Sequence, residues 1–154
     1  LVYLQPRSYA QVVRIEAREA AEIAQLRLHL EQMAFRLLCN RADPDAPATL
    51  HAIADRARAA LEAGHKAEYF EEDSAFHQKA ADVCGNDQLA ILYRHFEAKV
   101  QLLRIAQDVP LERLEIYMRQ HFDLVELLRG RRCGAIDELL RVHIVHDLSS
   151  GEPG

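Results

Sequence analysis

The sequence predicts an all-α protein, an antiparallel bundle of six or seven helices. Hydrophobic residues make up 49% of its 154 residues, while glycine and proline number only six and five, too few for a turn-rich β fold. Apolar positions recur at three- and four-residue steps, the period of a helix face. Turn formers fall between these stretches, and the short connections they leave imply antiparallel neighbours.

The first helix is predicted from about Ser8 to Asn40, with Ile23, Leu26, Leu30, Met33, Ala34, Leu37 and Leu38 as its periodic apolar positions. "NRADPDAPA" stops it with two prolines and several turn formers. "ATLHAIADRARAALEAG" runs to Gly64 and "KAEYFEEDSAFHQKAADVCG" to Gly85, glycine just past the last periodic residue being the usual C-terminal stop. "NDQLAILYRHFEAKVQLLRIAQ" takes Asn86 as its N-cap and ends near Val109-Pro110. Pro110 suits the first turn of "PLERLEIYMRQHFDLVELLRG", which ends at Gly130, and "GAIDELLRVHIVHDL" is the sixth helix. Residues 1–8 read as the end of a linker, 9–148 as one domain and 149–154 as a tail. A chain of this length can bury one substantial core.

The formal net charge is −5 and Lys and Arg are scattered among acidic residues, so this chain alone lacks the basic face that nucleic-acid binding needs. No apolar run reaches the roughly 20 residues of a bilayer span. "LVYLQPRSYA" has neither a signal-peptide core nor an initiator Met; a cytoplasmic location is expected, for a piece of something longer. Cys39, Cys84 and Cys133 are odd in number and far apart, without C-x-x-C. Reduced, mostly buried thiols are expected of them.

Several polar residues fall on stripes that should be apolar. On the third helix the inward row is Tyr69, Asp73, Phe76, His77 and Ala80, with Asp73 and His77 one turn apart on the same face. On the fifth, Leu114, Tyr117, Met118, Leu124, Val125 and Leu128 centre on His121; on the sixth, Ile136, Leu139 and Leu140 put His143 next on the stripe. A buried carboxylate without compensation is costly or must neutralise. Each group taken singly is readily satisfied by a hydroxyl, a carbonyl or a water. One Asp and three His on three helices of one small bundle are explained more simply by a shared cation. Neutral imidazoles with one carboxylate suit a divalent transition metal, Zn first, then Ni, Fe or Mn. His146, three residues after His143, is a second reading for the last ligand.

"EEDSAFHQKAADVCGNDQL" followed by "RQHFDLVELLRGRRCGAIDELLRVHI" resembles the effector-binding FCD domain of the FadR subgroup of GntR-type transcriptional regulators. The matching features are D-S-A-F-H, the Gly85-Asn86 pair, the H-x21-H spacing of His121 and His143, and Arg27 and Glu31 in "EIAQLRLHLEQMAFRLL". The resemblance implies a bundle holding one ion through Asp73, His77, His121 and His143, a small carboxylate metabolite as effector, and homodimerisation. It also implies a DNA-reading winged helix-turn-helix N-terminal to this chain; no membrane partner is expected, for want of an apolar span.

For such an effector Arg27 would supply a bidentate grip. A structural pair with Glu31 is the competing reading for it. Arg104, Asn86, Tyr93 and Tyr117 complete the candidate ligand contacts, with core packing the alternative for both tyrosines. Glu97 and Gln101 read as ordinary surface neighbours. Three other readings compete with effector binding: sensing of the metal itself, metal-dependent hydrolysis, and a plain helical dimerisation module with no ion. Hydrolysis is disfavoured by the expectation that no inward Glu stands near the cluster.

Overall fold

A computed structural model describes residues 14–149, with side chains through residue 145. The expected linker and most of the expected tail lie outside these residues. Six helices follow one another: α1 (Ala17–Arg41), α2 (Asp45–Glu62), α3 (Lys66–Val83), α4 (Asp87–Gln107), α5 (Leu111–Arg129) and α6 (Cys133–Ser149). α1 opens after Glu16, an extended N-cap, and its buried face begins at Ala20; the expected start at Ser8 lies outside the described residues. Among the described residues no helix is long and apolar enough to cross a membrane.

Local chemistry sets the joints. Asp43 accepts a hydrogen bond from the Asp45 amide (2.9 Å), and Pro47 sits in the first turn of α2, where no amide donor is needed. After α3 the chain turns through Gly85 at φ +86°, and the Asn86 side chain accepts from the Leu89 amide (3.0 Å) to open α4. Gly130 ends α5 in an ordinary right-handed conformation, and the left-handed step falls on Arg131.

α1 packs on α6, α3 and α4, while α2 packs on α3 and α5, so α1 and α3 hold the bundle together. The larger core gathers Phe35, Leu38, Leu50, Phe76, Leu124 and Leu140; a smaller one joins Ala57, Leu61, Tyr69, Val109, Leu114 and Tyr117. Full burial of a side chain such as Phe76 contributes about 1.5–3 kcal/mol. α3 serves both cores, Tyr69 in the smaller and Phe76 and Ala80 in the larger, and Asp73 and His77 fall between them.

Two expectations are corrected here. Cys39 and Cys133 are not free thiols but a disulfide, 94 residues apart in sequence, that ties the last turns of α1 to the first turn of α6; Cys84 alone is free and buried. Leu26 and Met33 share the apolar period of α1 yet are 48% and 46% exposed, because among the described residues no helix covers that side.

Candidate metal and ligand site

Five of the six helices meet at a polar layer between the two cores. α3 contributes Asp73 and His77, α5 His121, α6 His143, α1 Arg27 and Glu31, and α4 Tyr93 and Arg104, all of them buried. Atoms of Asp73, His77, His121 and His143 that can ligate a metal lie within 4.8 Å of one another. His77 Nε2 is 3.1 Å from His121 Nε2 and 3.2 Å from His143 Nε2, and Asp73 Oδ1 is 3.2 Å from His121 Nε2. Phe76 stacks on the His121 ring at 4.3 Å between centroids and fixes its plane.

The outer partners of these rings decide what faces inward. His77 Nδ1 lies 2.6 Å from a Glu31 carboxylate oxygen, and His143 Nδ1 lies 2.8 Å from the Gln120 amide oxygen. Each contact calls for a proton on Nδ1, which leaves Nε2 of both rings with a bare lone pair. Two lone pairs 3.2 Å apart repel unless a cation sits between them. Burial lowers the His77 pKa to about 4 against the opposing pull of Glu31, and burial with the neighbouring imidazoles lowers that of His143. Both rings are therefore neutral near pH 7, the form a metal takes. Two nitrogens about 2.0–2.1 Å from one Zn ion stand about 3–3.5 Å apart, which matches the observed spacing. The cluster can hold a metal ion.

Asp73 divides its carboxylate. Oδ1 faces the imidazoles, while Oδ2 is 2.5 Å from Arg104 Nη2. Burial alone would raise this carboxyl's pKa; Arg104, with His121 and His77, holds it well below the usual range. Arg104 also donates to Ser74 Oγ (2.5 Å) and lies 3.3 Å from Glu97, which with Gln101 forms a half-buried network and not the surface pair expected of them. Glu31 corrects another expectation: an inward Glu does stand beside the cluster, 1% exposed. Its position four residues after Arg27 already put it on the inward face.

Beside the cluster lies a cavity of about 20 Å³, room for about one water. Arg27, Asp73, Arg104 and His143 give it a polar side, and Tyr69, Phe70, Val109, Leu114 and Tyr117 an apolar one. Val109 belongs to a short strap between α4 and α5. The Lys66 ammonium holds that strap by donating to the Val109 carbonyl (2.9 Å) and to Asp108 (3.2 Å), and Asp108 takes a left-handed φ of 41°.

Of the expected ligand contacts, Arg27, Arg104 and Tyr117 line the cavity. Tyr93 does not: it is fully buried and donates to Glu31 (2.7 Å). Asn86 is engaged as the cap of α4 and is not in the cavity wall. The side chain of His146 lies outside the described residues. Nothing in the sequence singled out Gln120 or Phe70, while Tyr69 was expected on the inward row of α3 and not as a cavity wall.

A family model described as the FCD domain matches residues 22–146. The chain belongs to the FCD domain family. Among curated proteins, this FCD chain is 24% identical over 142 residues to an uncharacterized HTH-type transcriptional regulator, YdhC, of Bacillus subtilis (strain 168), covering 92% of the chain and 63% of YdhC. Among solved structures it is similar to Streptococcus agalactiae GntR, with a TM-score of 0.73, 19% identity, and coverage of 90% of this chain and 62% of that one. The FCD chain thus spans less than two thirds of the length of either protein.

Proposed function

We propose that this FCD domain is the ligand-sensing and dimerisation part of a cytoplasmic, non-enzymatic bacterial transcriptional regulator of the FadR subgroup. Asp73, His77, His121 and His143 hold one divalent transition metal, Zn first among Zn, Ni, Fe and Mn. The observation that carries this reading is the convergence of Asp73 and the three imidazoles, with the Nε2 atoms of His77 and His143 3.2 Å apart. The bound ion would supply a Lewis-acidic anchor for an anionic oxygen. Arg27 and Arg104, on the cavity wall with Tyr117, would grip a small carboxylate there, which suits their forked donors. The similarity to YdhC and GntR supports a DNA-binding partner domain, whose operator affinity the carboxylate shifts by binding two arrangements unequally. Residues 1–8 are read as the end of the linker to that domain, 9–148 as the sensing domain and 149–154 as a tail.

Purified protein loaded with Zn and then dialysed is expected to retain about one ion per chain by elemental analysis. A screen of short carboxylates should then raise the melting temperature of the loaded protein and leave the metal-free protein unmoved. No retained ion would sink the metal assignment; retained ion with no responsive carboxylate would sink the effector assignment. Operator affinity that follows the ion alone would make the domain a metal sensor.

Dimerisation is assigned to α4, where Ile91, Leu102 and Ile105 are 48%, 41% and 74% exposed. With Ala98 they line up along one face of the helix at helical spacing. A second copy of the chain is the natural cover for a stripe that would otherwise keep apolar surface in water. The double substitution Leu102→Glu with Ile105→Glu is expected to turn a dimer into a folded monomer, read by light scattering after gel filtration. An unchanged mass would place the interface elsewhere.

A further inference from the structure

We infer that Glu31 is a positioning residue of this site, fixing the tautomer of His77 and joining it to Arg27 on the cavity wall. The inference rests on the metal reading above for its consequence, though not for its geometry. Glu31 is 1% exposed and touches neither solvent nor the cavity. Its Oε1 receives Arg27 Nε (2.7 Å) and the Tyr93 hydroxyl (2.7 Å), while Oε2 lies 2.6 Å from His77 Nδ1. A mere counter-ion for Arg27 would need only the first of these.

The three contacts together leave the carboxylate no freedom to turn. Tyr93, rooted on α4 in the larger core, and Arg27, one turn back on α1, both hold Oε1; the remaining oxygen then lies 2.6 Å from His77 Nδ1. A carboxylate only accepts, so the proton of neutral His77 must be on Nδ1, and Nε2 points its lone pair at His121 and His143. Carboxylate partners of metal-bound histidines act in this way, orienting the ring and raising its basicity. Glu31 adds a second role, since the group that orients His77 also carries Arg27. A displacement of Arg27 in the cavity is passed to the imidazole through one side chain.

Glu31→Gln tests this at constant shape. An amide presents one acceptor and one donor end. With Arg27 and Tyr93 claiming the oxygen, its NH2 faces His77 Nδ1 and drives the ring proton to Nε2, where it blocks the ion. Zn affinity, measured by competition with a chromophoric chelator, is expected to fall about 10–100-fold. Long-range nitrogen–proton NMR on the metal-free protein should show His77 protonated at Nδ1 in the parent and at Nε2 in the variant. A purely structural role would leave both tautomer and affinity where they were.

Tyr93→Phe, which removes one brace and keeps the carboxylate, should weaken Zn binding by a smaller factor and serves if Glu31→Gln does not fold. Equal Zn affinity in parent and variants, or Nε2 protonation of His77 in the parent, overturns the inference. A parent that shows the Nδ1 proton and binds no Zn would instead overturn the metal reading while leaving the positioning by Glu31 intact.

Discussion

Replacing Arg104 with methionine is expected to destabilise the metal-free domain by about 3–5 kcal/mol, the cost of leaving a buried charge without its partner. Arg104 is 7% exposed and its Nη2 is the nearest cation to Asp73, at 2.5 Å. Without it Asp73 keeps the imidazoles and the more distant pull of Arg27, and Ser74 and Glu97 lose a shared donor as well. The direction with pH follows from Asp73. Its native pKa lies below the ordinary carboxylate value, so in the parent it adds stability above about pH 4 and loses that contribution as acid protonates it. In the variant the penalty is greatest near neutral pH, where Asp73 is charged, and shrinks as the carboxyl takes up a proton. Urea unfolding of both proteins at pH 4 and pH 7 checks this. Added Zn should restore part of the loss, because a ligand that binds only the folded state stabilises it; equal destabilisation with and without Zn would argue that Asp73 does not meet the ion.

The second large effect is expected from the disulfide. Cys39 and Cys133 close a loop of 94 residues in sequence separation, and the chain-entropy relation assigns such a loop about 4–5 kcal/mol at 25 °C. The variant Cys133→Ser, or the parent held in a dithiol reductant, should unfold at correspondingly lower urea concentration. The oxidised parent is the reference. If the two transitions coincide, the bridge is not formed in the purified protein.

Much of this architecture was legible in the sequence because its signals are local. Helix period, two proline-bearing joints and an asparagine cap delimit elements without reference to the rest of the chain. Asp73, His77, His121 and His143 were legible for a related reason: each breaks an apolar stripe, and a break in a periodic pattern is visible one helix at a time. What stayed hidden depends on neighbours. Glu31 had a sufficient partner in Arg27 four residues away, which masked its contacts to Tyr93 and His77. Cys39 and Cys133 meet only because α1 and α6 pack together. Leu26 and Met33 show that a period marks a face as apolar and says nothing of whether another helix covers it. Asn86 shows the reverse, a polar residue consumed by its own helix end.

The strap between α4 and α5 bears on time as much as on affinity. With Val109 in its wall, the cavity has about 20 Å³ to offer, and a ligand larger than a water is expected to enter as residues 108–110 swing aside. Lys66 must then release both the Val109 carbonyl and Asp108. Entry and exit share that step, so the rate of opening caps the on-rate at high ligand concentration and lengthens residence once the strap has closed. Removing the latch with Lys66→Met should quicken both directions by similar factors and leave the equilibrium constant nearly unchanged. The lysine would then be a clock for the cavity, setting how long a bound ligand stays.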